Sequence, residues 1–229
     1  MSGSGDVFAE ARRRLVDMLI NEGVLRDEKV INALLKVPRE LFVLPEYRSH
    51  AYADTPLPIG HGGTISAPHM VAIMDEALEL EGGLNVLEVG AGSGYHAATI
   101  AHIVSEGADP RRGHVFTVEI IPELFRFAVR NLRQALYNEW VTVVLADGSK
   151  GFPEAAPYDR ILVTAAAPDI PTPLLEQLKN PGILVIPVGG QYSFQSLTVV
   201  RKDPSGRVKV EDRGGCSFIP LQGKYGFEG

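Results

Sequence analysis

This sequence predicts an α/β fold with a mostly parallel sheet and helices on both faces, on three observations. The first is the stretch Asn85-Val86-Leu87-Glu88-Val89-Gly90-Ala91-Gly92-Ser93-Gly94-Tyr95. It is a short apolar run that breaks into Gly-x-Gly-x-Gly and leads into Ala98, Ala101, Ile103 and Val104 at helical spacing. Strand, glycine turn and helix open a nucleotide-binding βαβ unit. The second is recurrence. Further apolar runs at 115–119, 141–146, 158–164 and 182–188 are separated by helical or loop segments, the alternation of a parallel sheet. The third is bulk composition: 229 residues, 45% hydrophobic and 22% charged, which suits a globular chain with a sizeable core.

Taken in order, residues 1–5 are small and polar and are expected to be unordered. Asp6 suits the cap of a helix with the stripe Phe8, Leu15, Met18 and Leu19, closed by residues 21–23. Asp27 suits the cap of a second helix carrying Val30, Ile31, Leu34 and Leu35 and stopped before Pro38. Residues 51–70 hold three prolines and several glycines and predict a long irregular stretch, which inside a compact domain is usually functional. From Pro68 a helical stripe runs through Met70, Ile73, Met74, Ala77 and Leu78, with Ser66 placed to cap it.

Helix 95–106 follows the glycines. Strand 115–119 ends in the acid Glu119, and the next helix has Pro122 in its first turn with Leu124, Phe125, Ala128, Val129 and Leu132 inward. Strand 141–146 ends at Asp147-Gly148, and strand 158–164 runs into Ala165-Ala166-Ala167-Pro168. A short helix at 173–178 precedes strand 182–188. Beyond Gly189 the pattern turns purely β, with strands 196–200 and 208–210 around Asp203-Pro204-Ser205-Gly206 and a last strand expected at 215–221. We expect one domain: residues 1–80 as a helical cap with an active-site loop, 81–189 as a βα core, and 190–229 as terminal strands and tail.

Ligands of such sheets bind beyond the carboxyl ends of the strands. An acid following the glycines by about 20 residues accepts from ribose hydroxyls in dinucleotide folds, and Glu119 lies slightly later than that. It equally suits a helix N-terminal acid facing the dipole. Asp147 can accept from an adenine amino group or simply make an Asp-Gly turn. Position six of the dinucleotide fingerprint is Tyr95 rather than glycine, which disfavours an NAD-dependent oxidoreductase. Net charge is −6, which argues against a dedicated nucleic-acid binder; Arg111-Arg112 reads as a solvated loop. His61 and His69 lack the spacing of a metal pair, so no metal is expected. Cys216 is the single cysteine, and no apolar run reaches the ~18–20 residues of a membrane span. A cytoplasmic monomer without membrane or nucleic-acid partners is the expectation.

The spelling Glu88-x-Gly90-x-Gly92-x-Gly94 resembles the first motif of S-adenosylmethionine (SAM)-dependent methyltransferases. The blocks Thr55-Pro56-Leu57-Pro58-Ile59-Gly60 and Thr64-Ile65-Ser66-Ala67-Pro68-His69-Met70 resemble the signature of protein-L-isoaspartate O-methyltransferases. Glu119, Asp147-Gly148, the turn 164–168 and Leu184-Val185-Ile186-Pro187-Val188-Gly189 follow in family order, so the resemblance spans roughly residues 8–221. It implies a Rossmann-like methyltransferase sheet of seven strands. It implies methyl transfer from SAM, leaving S-adenosylhomocysteine, to the α-carboxylate of L-isoaspartyl residues in damaged proteins and peptides. The ester then collapses to a succinimide.

The resemblance places Ser66 in the active site. It places Thr64, Ile65, Ser66, His69, Glu88, Gly90, Gly92, Ser93, Gly94, Glu119, Asp147 and Gly148 at the cofactor, and Thr64, Ser66, His69, Ile219 and Leu221 at the substrate. The alternative is a SAM-dependent O-methyltransferase acting on another carboxylate or small acceptor. Amino methylation of nucleic acid disagrees with Thr164-Ala165-Ala166-Ala167-Pro168, which stands where those enzymes carry an Asn/Asp-Pro-Pro-Tyr motif.

Overall fold

The computed structural model describes residues 4–106, 113–191 and 193–227. The expectations for residues 1–3 and for Arg111-Arg112 lie outside these residues. Helix α1 (Ser4–Asn21) already includes Ser4 and Gly5, so Asp6 lies inside it rather than at its cap. Its inward side is Leu15, Val16 and Leu19, while Met18 is exposed. Helix α2 (Glu28–Lys36) is capped as its sequence reads, the Lys29 amide donating to the Asp27 carboxylate at 2.7 Å.

Residues 51–70 are more regular than expected. Strand β1 (Leu57–Gly60) pairs antiparallel with β2 (Gly63–Ile65). The prolines hide this hairpin from a sequence reading, because proline cannot donate to a ladder and is normally a mark against a strand. Its two strands are at their own edges, where that cost vanishes. His61, at φ 51, makes the turn between them. Leu57, Ile59 and Ile65 point into the core and Thr64 points out.

Helix α3 (Pro68–Ala77) is capped by Ala67, without a side-chain bond. Ser66 is therefore not its cap. The central elements then alternate: β3 (Asn85–Val89), α4 (Tyr95–Val104), β4 (His114–Glu119), α5 (Pro122–Gln134), β5 (Val141–Leu145), β6 (Tyr158–Val163), α6 (Thr172–Gln177) and β7 (Leu178–Gly189). In α5 the inward residues are Leu124, Phe127, Ala128 and Leu132, and Val129 is exposed. Strands β8 (Gln195–Lys202) and β9 (Val208–Cys216) finish the sheet. The last strand expected at 215–221 is absent. β9 absorbs Gly215 and Cys216, and the chain beyond makes a single bridge, Ala166 to Pro220.

The main sheet has seven strands in the order β5-β4-β3-β6-β7-β8-β9. The first five are parallel, and β8 runs antiparallel to both of its neighbours, β7 and β9. Side chains alternate across it, as the period of two requires. Val86, Leu162 and Val185 join one apolar cluster with α1 to α5, while Leu87, Ile161 and Leu184 join a second with Leu174 of α6. Strand order reverses between β3 and β6. That switch point opens a crevice at their carboxyl ends, where Gly90 and Thr164 lie.

Candidate active site

A cavity of about 1080 Å³ occupies this crevice. Gly90, Gly92 and Ser93 form one wall and Glu119 and Gly148 another. The hairpin end brings Thr64, Ile65, Ser66 and His69, and the C-terminal segment brings Ile219 and Leu221. Two candidate residues do not line it. Gly94 is the N-cap of α4 and faces α5, a Cβ there standing 3.0 Å from Leu132. Asp147 sits behind Gly148, its carboxylate accepting from the Ser149 amide and hydroxyl at 3.0 and 2.6 Å and from the Lys224 amide at 3.0 Å.

The glycine loop has a local cause. Gly90 has φ 99, and a Cβ there would lie 2.4 Å from the Thr164 hydroxyl oxygen. Thr164 donates from that oxygen to the carbonyls of Gly90, at 2.7 Å, and Val89. Only glycine fits both the backbone and the neighbour. Glu119 fastens the other end of the loop. Its Oε2 accepts from the Gly92 amide at 2.9 Å, and its Oε1 from the amides of Ile120 and Ile121 at 2.9 and 3.0 Å. The helix-facing and loop-facing readings of this acid therefore coexist. Since a carboxylate offers about four acceptor positions, one is left for a ligand, not two.

Ser66 owes its place to Arg39, a residue the sequence did not single out. Arg39 is fully buried. It donates to the carbonyls of Ala51 and Ser66, each at 2.8 Å, and lies 4.9 Å from the centre of the Tyr95 ring. The Ser66 backbone is thus pinned while its hydroxyl has no hydrogen-bond partner among the described residues. His69 is oriented by Asp54, which accepts from its backbone amide at 2.8 Å and from Nδ1 at 3.0 Å. No group of three or more His, Cys, Asp or Glu among the described residues is placed to hold a metal.

Under the glycine loop lies a buried polar group. Glu88 accepts from the Thr117 hydroxyl, and His96 Nε2 bonds to Asp75 at 3.0 Å. Glu88 Oε1 and His96 Nδ1 are buried without partners among the described residues, and both residues border the cavity. Burial raises the Glu88 pKa from its ordinary 4.5 to about 7, against the opposing pull of His96 and the Thr117 hydroxyl. Burial lowers and Asp75 raises the His96 value, and the net direction is up. A carboxyl raised on folding favours the folded state below its unfolded pKa and loses that contribution as pH rises. Glu88 should therefore cost on the order of 3 kcal/mol of stability as pH moves from about 4.5 to 7. Denaturant unfolding of Glu88→Gln should lack this fall, so the variant overtakes the parent above neutral pH. Parallel stability curves would show that Glu88 does not titrate there.

The donor and acceptor set fits a nucleoside carrying a cation. An orphaned carboxylate oxygen sits beneath the cavity, Glu119 keeps one free acceptor position, and the glycine loop leaves no Cβ in the way.

A family model described as protein-L-isoaspartate(D-aspartate) O-methyltransferase matches residues 10–226. A protein-L-isoaspartate O-methyltransferase of Hyperthermus butylicus is 59% identical over 222 residues, covering 96% of this chain and 92% of that protein. One of Methanopyrus kandleri is 53% identical over 228 residues, covering 100% and 98%. A solved protein-L-isoaspartate O-methyltransferase superposes with a TM-score of 0.83 at 31% identity, covering 94% of this chain and 67% of its own. A second, from Plasmodium falciparum and in complex with S-adenosyl-L-homocysteine, gives 0.79 at 26% identity, covering 92% and 98%.

Proposed function

The chain belongs to the protein-L-isoaspartate(D-aspartate) O-methyltransferase family, and from that premise we propose that it methylates the α-carboxylate of L-isoaspartyl residues in proteins and peptides, using SAM. The ester so formed collapses to a succinimide, which hydrolyses in part to normal aspartate. The observation that carries the reading is the meeting of two unrelated segments in one cavity: the glycine loop with Glu119, and the Thr64 to His69 block with its unpartnered serine hydroxyl.

Bound SAM would supply an activated methyl group, which would pass to a substrate carboxylate oxygen and leave S-adenosylhomocysteine. The acceptor has an ordinary pKa near 4 and is ionised at neutral pH, so no general base is required. The residues here then have three tasks. Glu119 and the glycine loop hold the nucleoside. Glu88, whose Oε1 is unpartnered among the described residues at the cavity floor, would take its ionised form beside a bound cation. Ser66 donates its hydroxyl to the substrate carboxylate and aims one oxygen along the transfer line, an alignment effect. His69, held by Asp54, and Ile219, in the C-terminal segment, flank the substrate end. Substrates are isoaspartyl polypeptides. No helix among the described residues is long and apolar enough to cross a membrane.

The test uses labelled SAM with two peptides that differ only in Asp versus isoAsp at one position. Label should enter the isoAsp peptide as a base-labile ester and leave the Asp peptide untouched. Equal labelling of both, or of neither while a small carboxylic acid is methylated, overturns the assignment.

A further inference from the structure

Arg39 opens a short 3-10 turn (Arg39–Leu41) and is wholly buried. That turn fixes its backbone, the Phe42 amide donating to the Arg39 carbonyl at 2.9 Å. The side chain then spans two carbonyls that are distant in the chain. Nε donates to Ala51 and Nη2 to Ser66, each at 2.8 Å. Ala51 and Ser66 bracket the β1–β2 hairpin, so one planar group closes the base of the segment that carries Thr64 and Ile65. A rigid fork of donors suits that task, because it meets both carbonyls at once. The same guanidinium lies on the ring of Tyr95, the first residue of α4 beside the glycine loop. Phe42 packs edge-on against that ring, with centroids 5.6 Å apart.

Packing alone is a poor reason for this arrangement. Among the described residues no carboxylate pairs with Arg39, and its Nη1 is buried without a hydrogen-bond partner. Burial pushes the Arg39 pKa down against the opposing pull of Tyr95, Tyr52 and Asp54, yet arginine stays a cation in proteins. A buried cation without a counter-ion and a buried donor without an acceptor both destabilise a fold. What the guanidinium supplies is definition at Ser66. That residue stands between the last residue of β2 and the cap of α3, in neither ladder nor helix. Its hydroxyl has no partner among the described residues to orient it, so its direction is inherited from the backbone that Arg39 holds.

We propose that Arg39 is the positioning residue for Ser66, clamping the Ala51 and Ser66 carbonyls so that the Ser66 hydroxyl meets the substrate carboxylate at the angle that transfer requires. This rests on the role given to Ser66 above. Arg39 is not among the residues that border the cavity, so it touches neither substrate nor cofactor and acts through Ser66. The helical segment ahead of the hairpin thereby has a part in the reaction: it delivers the clamp, and Phe42 and Tyr95 seat it against the helix that follows the glycine loop.

The experiment is a double-mutant cycle in the full chain, with an isoaspartyl peptide as acceptor. Arg39→Lys keeps the charge and loses the fork; Arg39→Met loses both. Each should lower kcat, the lysine variant by about tenfold and the methionine variant by more, because a misplacement of about 1 Å at a reacting group costs up to about 100-fold. Affinity for S-adenosylhomocysteine, measured by calorimetry, should stay within about twofold of the parent's. In a Ser66→Ala background the same changes at Arg39 should lower kcat by less than about twofold, since the hydroxyl they misplace is gone. That non-additivity is what a general packing role would not produce. Melting curves identify variants that fold, and the cycle is read on those. An equal loss in both backgrounds, full turnover in Arg39→Met, or a fall in S-adenosylhomocysteine affinity as large as the fall in kcat overturns the proposal. So does failure of both Arg39 variants to fold, which would assign Arg39 to the fold alone. A parent that methylates no isoaspartyl peptide removes the function proposed above; an active parent with an additive cycle removes only the role of Arg39.

Discussion

Ser66→Ala should lower turnover of an isoaspartyl peptide by about 100-fold or more while SAM affinity and thermal stability stay at the parent's level. The magnitude follows from removing one preorganised donor at the reacting centre, which typically costs two to three orders of magnitude. The stability arm follows from the fold. Ala67, not Ser66, is the cap of α3, and the cap has no side-chain bond. The Ser66 hydroxyl has no partner to lose, and Arg39 holds its carbonyl rather than its side chain. Steady-state kinetics with calorimetry and a melting curve separate the outcomes. Activity above half the parent's would remove Ser66 from the chemistry, and a drop in melting temperature would mean that it has a packing role.

Glu119→Ala should weaken SAM binding by about 100-fold and lower stability as well. Part of the loss is the ribose contact, a hydrogen bond to a charged acceptor worth about 1.5–3 kcal/mol. The rest is the glycine loop, because the amides of Gly92, Ile120 and Ile121 lose their common acceptor. An orphaned buried donor costs about 1–3 kcal/mol. Glu119→Gln keeps an acceptor oxygen and should fall between the two. Calorimetry and denaturant unfolding on all three proteins check this. An alanine variant with the parent's SAM affinity would show that Glu119 only supports the loop.

The strands were legible because buried parallel strands are short apolar runs bounded by turn residues. The helix from Asp27 was legible because its cap is a side-chain bond written locally. The errors have physical causes too. Prolines disguised the β1–β2 hairpin, whose ladder does not need the donors they lack. Ser66 was read as a cap because Ser-x-Pro is a fair helix start, and the pinning of its carbonyl by Arg39 leaves no local trace. Val129 and Met18 were read as inward because a periodic stripe fixes the direction of a face to no better than one position.

By itself, then, this chain's sequence determined the alternation of strands and helices from β3 to β7, the glycine loop, and which residue types stand near the carboxyl edge of the sheet, because those depend on periodicity and on contacts between neighbours in the chain. Tertiary structure alone decided that Glu119 has one acceptor position left, that Arg39 pins Ser66, that Glu88 is buried beside His96, and that a tail amide reaches Asp147. Each of those is a pairing between distant residues, settled by how the layers pack and by which buried polar atoms find partners there.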